Sequence, residues 1–148
     1  MLHKSSIPLW ILFIVACTVQ PALFTAGSPD PCTLVTTAEL EQILGRLQDG
    51  PKAADNPGEI SCSYGVATDS STLDIMLHQG DFAALKKSFA GKTTPVREFG
   101  KEAFMASQDF SAEVFVRKGN FVLRVALSKS PNAMEKVKEI TRKALARL

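Results

Sequence analysis

Few residues of this chain could do chemistry: Cys17, Cys32 and Cys62, the histidines His3 and His78, and fifteen carboxylates. Cys17 ends the run Ile14-Val15-Ala16-Cys17. An aliphatic residue, a small or aliphatic one, Ala and then Cys has the form of a lipobox, whose thiol is acylated. An odd cysteine count in an exported protein calls for an account of the leftover thiol. Acylation of Cys17 supplies one, and its removal with a cleaved leader supplies another. Cys32 and Cys62 then remain as a disulfide pair in an oxidising compartment, the alternative being two reduced, buried thiols. Closing a loop of about 30 residues stabilises a fold by roughly 3–4 kcal/mol in the chain-entropy model.

His78 is the one histidine beyond the first few residues. It lacks the second His or nearby Cys of a typical zinc site. A Ser–His nucleophile would have to use it, yet no G-x-S-x-G elbow marks a serine. On its strand it shares the face opposite Leu73, Ile75 and Leu77, where it reads as a surface residue. Glycoside hydrolysis needs two carboxylates in a cleft, and Asp74 with Glu113, both on outward strand faces, is the pair to weigh. Their ordinary reading is solvated charge. No phosphate-cradling pattern surrounds the glycines of residues 50–59. No catalytic, metal or cofactor-binding residue is assigned, and no cofactor is expected.

The first residues read as an address. Lys4 and the amino terminus give a positive start, and residues 7–15 are apolar apart from Pro8. That run is far shorter than the ~20 residues of a spanning helix. Extending it to Phe24 crosses Gln20 and Pro21, a weaker case for an uncleaved anchor. Besides the lipobox, Thr25-Ala26-Gly27 offers a signal peptidase small residues, releasing a chain that begins at Ser28. The apolar residues after Cys17 count against the polar tether of a lipoprotein. Both readings give residues 1–27 as leader and linker and residues 28–148 as one domain, exported to the periplasm or cell surface and either lipid-anchored or secreted.

Within that domain, residues 30–80 hold eight acidic residues against two basic ones, and residues 81–148 hold fourteen basic against seven acidic. The halves are expected to pair within one fold. A net charge of +2 gives no case for nucleic acid.

Thr36 with Glu39 three residues on forms a capping box, and Leu40, Ile43, Leu44 and Leu47 give the apolar face of a helix stopping near Gly45. Residues 50–59 read as a loop. Residues 60–68 and 72–79 alternate as strands, with Ile60, Cys62, Tyr64 and Val66 inward, so a bridge to Cys32 pins the first helix to the sheet. Asp81 caps a second helix over residues 82–90, and residues 99–106 form a short strand after a turn at Gly100. Residues 112–118 and 121–128 flank Gly119-Asn120, a type II′ hairpin that pairs Val116 with Leu123 and Val114 with Val125. Its outer face carries Phe115, Arg117 and Arg124, the candidate binding surface, either solvated or in contact with a partner. Pro131 opens the last helix, whose Lys136, Lys138, Arg142, Lys143 and Arg147 are a solvated face or a contact for anionic membrane. The fold class is α+β: an antiparallel sheet of about five strands, order α-β-β-α-β-β-β-α, helices on one side and one disulfide.

Asp30-Pro31-Cys32-Thr33-Leu34-Val35-Thr36, followed by Cys62-Ser63-Tyr64 and Gly100-Lys101-Glu102-Ala103-Phe104, resembles a family of small exported bacterial proteins and lipoproteins of unknown function, best known from actinobacteria. Lys101 stands where that family usually has Asp, so no role is carried to it. The likeness runs from about Asp30 to Ser128 and implies a Cys32–Cys62 disulfide in an α+β fold. Similar domains serve as extracellular sensor modules of bacterial kinases.

Export, a small disulfide-closed domain and the lack of a catalytic constellation lead to one functional expectation: a non-catalytic, sensor-like or accessory domain that meets an envelope protein or a small ligand, with membrane attachment through Cys17 if that residue is acylated. The alternatives are a small envelope hydrolase using paired carboxylates, and an inhibitor or structural partner of another envelope protein.

Overall fold

Alternating apolar residues build one antiparallel sheet, and the computed structural model describes it over residues 27–89, 91–128 and 130–148. The expected leader, the candidate lipidation residue Cys17 and the Thr25-Ala26 part of the second candidate cleavage site lie outside the described residues. Among the described residues no helix is long and apolar enough to cross a membrane.

Asp30 accepts a hydrogen bond from the Cys32 amide and caps a 3-10 turn, Pro31–Thr33. Helix α1, Thr37–Leu44, follows, with the expected capping box in place and Gly45 at φ 87° ending it. Three strands then form a meander: β1 Lys52–Asn56, β2 Glu59–Gly65 and β3 Thr72–His78. Helix α2, Phe82–Ser88, is capped by Asp81. A second meander runs through β4 Thr93–Pro95, β5 Ala103–Gln108, β6 Ser111–Lys118 and β7 Phe121–Ser128. Helix α3, Ala133–Leu145, completes the chain. The strands lie in the order β1-β2-β3-β7-β6-β5-β4, so the two meanders meet where β3 pairs with β7.

Four expectations about element boundaries and number are corrected, besides the side taken by the helices. The sheet has seven strands rather than about five, which changes the order of elements. Residues 50–59, read as a loop, contain β1, whose five residues are all exposed. Such a strand carries no buried periodicity, and pairing with β2 through Pro57-Gly58 holds it instead, with Gly58 at φ 79°. Pro then Gly, with positive φ at the second position, is the chemistry of a type II turn. In the stretch read as a strand over residues 99–106, Arg97–Phe99 is a 3-10 turn and the strand begins at Ala103. The last helix starts after Asn132, in the left-handed region at φ 54°, so Pro131 sits in the preceding turn.

The main core lies on one side of the sheet, where Leu40 and Leu44 of α1 and Val137, Ile140 and Ala144 of α3 cover Ile75, Leu77, Val114, Leu123 and Val125. The predicted inward face of β2 is in place, with Cys62 and Tyr64 buried. The Cys32–Cys62 disulfide, Cα–Cα 5.1 Å, ties the 3-10 turn before α1 to that strand. The Tyr64 hydroxyl donates to the Cys32 carbonyl at 3.4 Å, and burial raises its pKa. The acidic and basic halves meet at Glu39, which receives Arg147 at 3.0 Å and Lys143 at 3.5 Å from α3. Helices are not confined to one side. The connection from β3, mid-sheet, to β4 at the edge crosses the opposite face, and α2 lies along it.

Candidate functional site

The antiparallel register arranges the outer face in rows that run across the strands. One row holds Ser63, Asp74, Ala126 and Glu113, the next Ser61, Met76, Arg124, Phe115 and Phe104, and a third Glu59, His78, Val122 and Arg117. Alternate residues of a strand share a face, so each row is fixed once the pairing is fixed.

Helix α2 covers the right-hand part of these rows. Phe82 and Phe89 pack on Phe104 and Phe115, which are themselves stacked with ring centroids 4.6 Å apart. Phe115 is fully buried. The outer hairpin face is therefore closed by a helix at Phe115, contrary to the solvated or partner-bound face expected there. Of the three residues proposed for that surface, Phe115 is part of a second, aromatic core. Arg124 is partly buried and bound to Glu113 by Nη2 at 2.8 Å and Nε at 2.9 Å. Arg117 keeps an exposed guanidinium, 3.9 Å from Glu102. The basic stripe of α3 is also engaged: Lys138 and Arg142 reach Glu98, at 3.9 and 3.3 Å.

The carboxylates weighed for hydrolysis, Asp74 and Glu113, do fall in one row, both opposite Ala126 on β7. Each has fixed partners. Asp74 accepts from the Ser63 hydroxyl. Glu113, 3% exposed, accepts from Arg124, from Ser111 Oγ at 3.2 Å and from Gln108 Nε2 at 3.5 Å.

The third row carries an arrangement that reading the chain segment by segment missed. His78 Nδ1 lies 3.0 Å from Glu59 Oε2, and the His78 side chain is 21% exposed. Burial lowers its pKa first; Glu59 opposes that shift and Arg124 adds to it. The shift favours the neutral ring. A carboxylate can only accept, so the proton sits on Nδ1 and Nε2 holds the lone pair. Nε2 is buried and has no hydrogen-bond partner among the described residues. His78 also lines a cavity of about 320 Å³ between the end of β3 and α2, together with Asp81, Ala84, Leu85, Ser88 and Val122. The Ser88 hydroxyl donates to the Leu85 carbonyl at 2.7 Å, which gives it a partner other than His78. The imidazole thus lines a largely apolar cavity while its lone-pair nitrogen is closed to solvent, so a ligand N–H or O–H reaches Nε2 only with a small shift of the cavity wall. Glu59 and His78 are nineteen positions apart in the sequence, and the β2–β3 register brings them together.

Among the described residues no group of three or more His, Cys, Asp or Glu is placed to hold a metal ion. Compared with known proteins, the chain matches no family model, no curated protein and no solved structure.

Proposed function

We propose that the chain is an exported protein of the bacterial cell envelope, anchored through Cys17 or secreted, whose α+β domain binds a small ligand or partner and carries out no covalent chemistry itself. The observation behind this reading is the Glu59–His78 pair, whose histidine lines a cavity beside α2 and whose Nε2 is buried without a hydrogen-bond partner among the described residues. A disulfide is consistent with export. The resemblance to extracellular sensor-type domains points the same way.

The test is nuclear magnetic resonance on protein labelled at histidine ring nitrogens and backbone amides. The probe is the small-molecule fraction from the medium and envelope of the producing cells. Binding moves the His78 ring signals and the amides of Leu85, Ser88 and Val122, and His78→Phe abolishes the amide shifts. Unmoved signals in the wild type, or catalytic consumption of a component of the fraction, would each reject the proposal.

A further inference from the structure

We infer that a second copy of this chain docks on the tip of the β5–β6 hairpin, with the two Phe110 rings exchanged across a two-fold axis. Phe110 is 59% exposed, the one large hydrophobic residue so placed among the described residues. It occupies a two-residue turn, Asp109-Phe110, between the paired Gln108 and Ser111. Beside it lies a cleft of about 400 Å³ lined by Lys92, Thr94, Met105, Asp109 and Met134 as well as by Phe110 itself. A cavity of about 150 Å³ already holds benzene, so the cleft has room for a phenyl ring. Methionine side chains adapt to the shape of an incoming ring.

A projecting ring and a receiving cleft on one patch are what an isologous interface requires, because a two-fold axis brings each ring to the other copy's cleft at once. The charges agree. Asp109 flanks the ring and Lys92 lines the cleft, so the exchange that seats Phe110 also carries Asp109 toward the partner's lysine. A neighbouring cleft of about 460 Å³, also bounded by Phe110, is lined by two acids, Asp109 and Glu135, and no base, whereas in the first cleft Lys92 balances Asp109. Asp109 and Glu135 also set this tip against an anionic bilayer, for which an inserting aromatic residue needs basic neighbours.

The test is sedimentation equilibrium on the purified full chain over a concentration series, with circular dichroism to confirm folding of each variant. The wild type associates to a dimer, and Phe110→Asp weakens that association by more than about tenfold. Lys92→Asp weakens it as well, and combining it with Asp109→Lys restores it, which a folding defect would not do. A wild type that stays monomeric at millimolar concentration overturns the inference, as does a dimer unaffected by Phe110→Asp. Phe110-dependent binding of the monomer to phosphatidylglycerol vesicles would assign the tip to a bilayer instead.

Discussion

Glu113 on β6 and Arg124 on β7 are diagonal neighbours across the ladder, and both Nε and Nη2 of the arginine bind the same carboxylate oxygen, Oε2, at 2.9 and 2.8 Å. Oε1 is taken by Ser111 and Gln108. The guanidinium also lies 5.6 Å from the centroid of the Phe115 ring, which links the ion pair to the aromatic core under α2.

Arg124→Ala is therefore expected to destabilise the fold by about 3 kcal/mol, because it strands a buried carboxylate. Replacing both partners, as Glu113→Gln with Arg124→Met, costs much less than the single change. Urea denaturation of the two variants measures the difference, and equal losses would show that the pair does not act as a unit.

Removing the bridge as Cys32→Ser with Cys62→Ser is expected to cost roughly 3–4 kcal/mol, from the freedom returned to a loop of about 30 residues in the unfolded chain. Intact mass of the native protein is the direct check. Neither thiol alkylates until reductant is added, and two thiols free at the outset would contradict the bridge.

Two pH windows follow from the shifted groups. His78 has its pKa lowered from 6.5, so the unfolded chain takes up its proton first as the pH falls. The stability it contributes is complete above about pH 6.5 and declines below it. Glu39, hydrogen-bonded by Arg147 and Thr36, falls from 4.5 to about 2. Its contribution is complete above about pH 4.5 and is lost as the pH drops through about 2. Urea midpoints measured across both windows should decline less for His78→Gln in the upper one and for Glu39→Gln in the lower. Curves parallel to the wild type would remove these groups as the cause.

What could be read from the chain was what has a local signature. The Thr36–Glu39 capping box, the Gly119-Asn120 turn and the Val114–Val125 register counted outward from that turn each have a local signature, and each is present. β1 was illegible because an edge strand exposed along its whole length has no apolar alternation to display. β4 is three residues long and ends in Pro95. The side taken by α2 depends on how the chain crosses from mid-sheet to edge, a choice no single segment records. That choice decided the fate of Phe115, which has the outward position expected of it and a helix on top. The Glu59–His78 pair exists only once two strands are in register.

The seam between β3 and β7 also bears on how the chain reaches this state. Leu73 pairs with Leu127 and Leu77 with Leu123, so a strand at the middle of the finished sheet waits for one made more than forty residues later. A ribosome delivers the first meander well before residues 121–128 exist. Until they arrive, Leu73, Ile75 and Leu77 belong to a strand paired with β2 on one side only, whose open edge has neither Lys nor Pro to discourage other chains and invites aggregation. Closing such a distant pairing is slow compared with forming a hairpin. The interval before β7 docks is the period in which a nascent chain of this protein most needs to be kept apart from its neighbours.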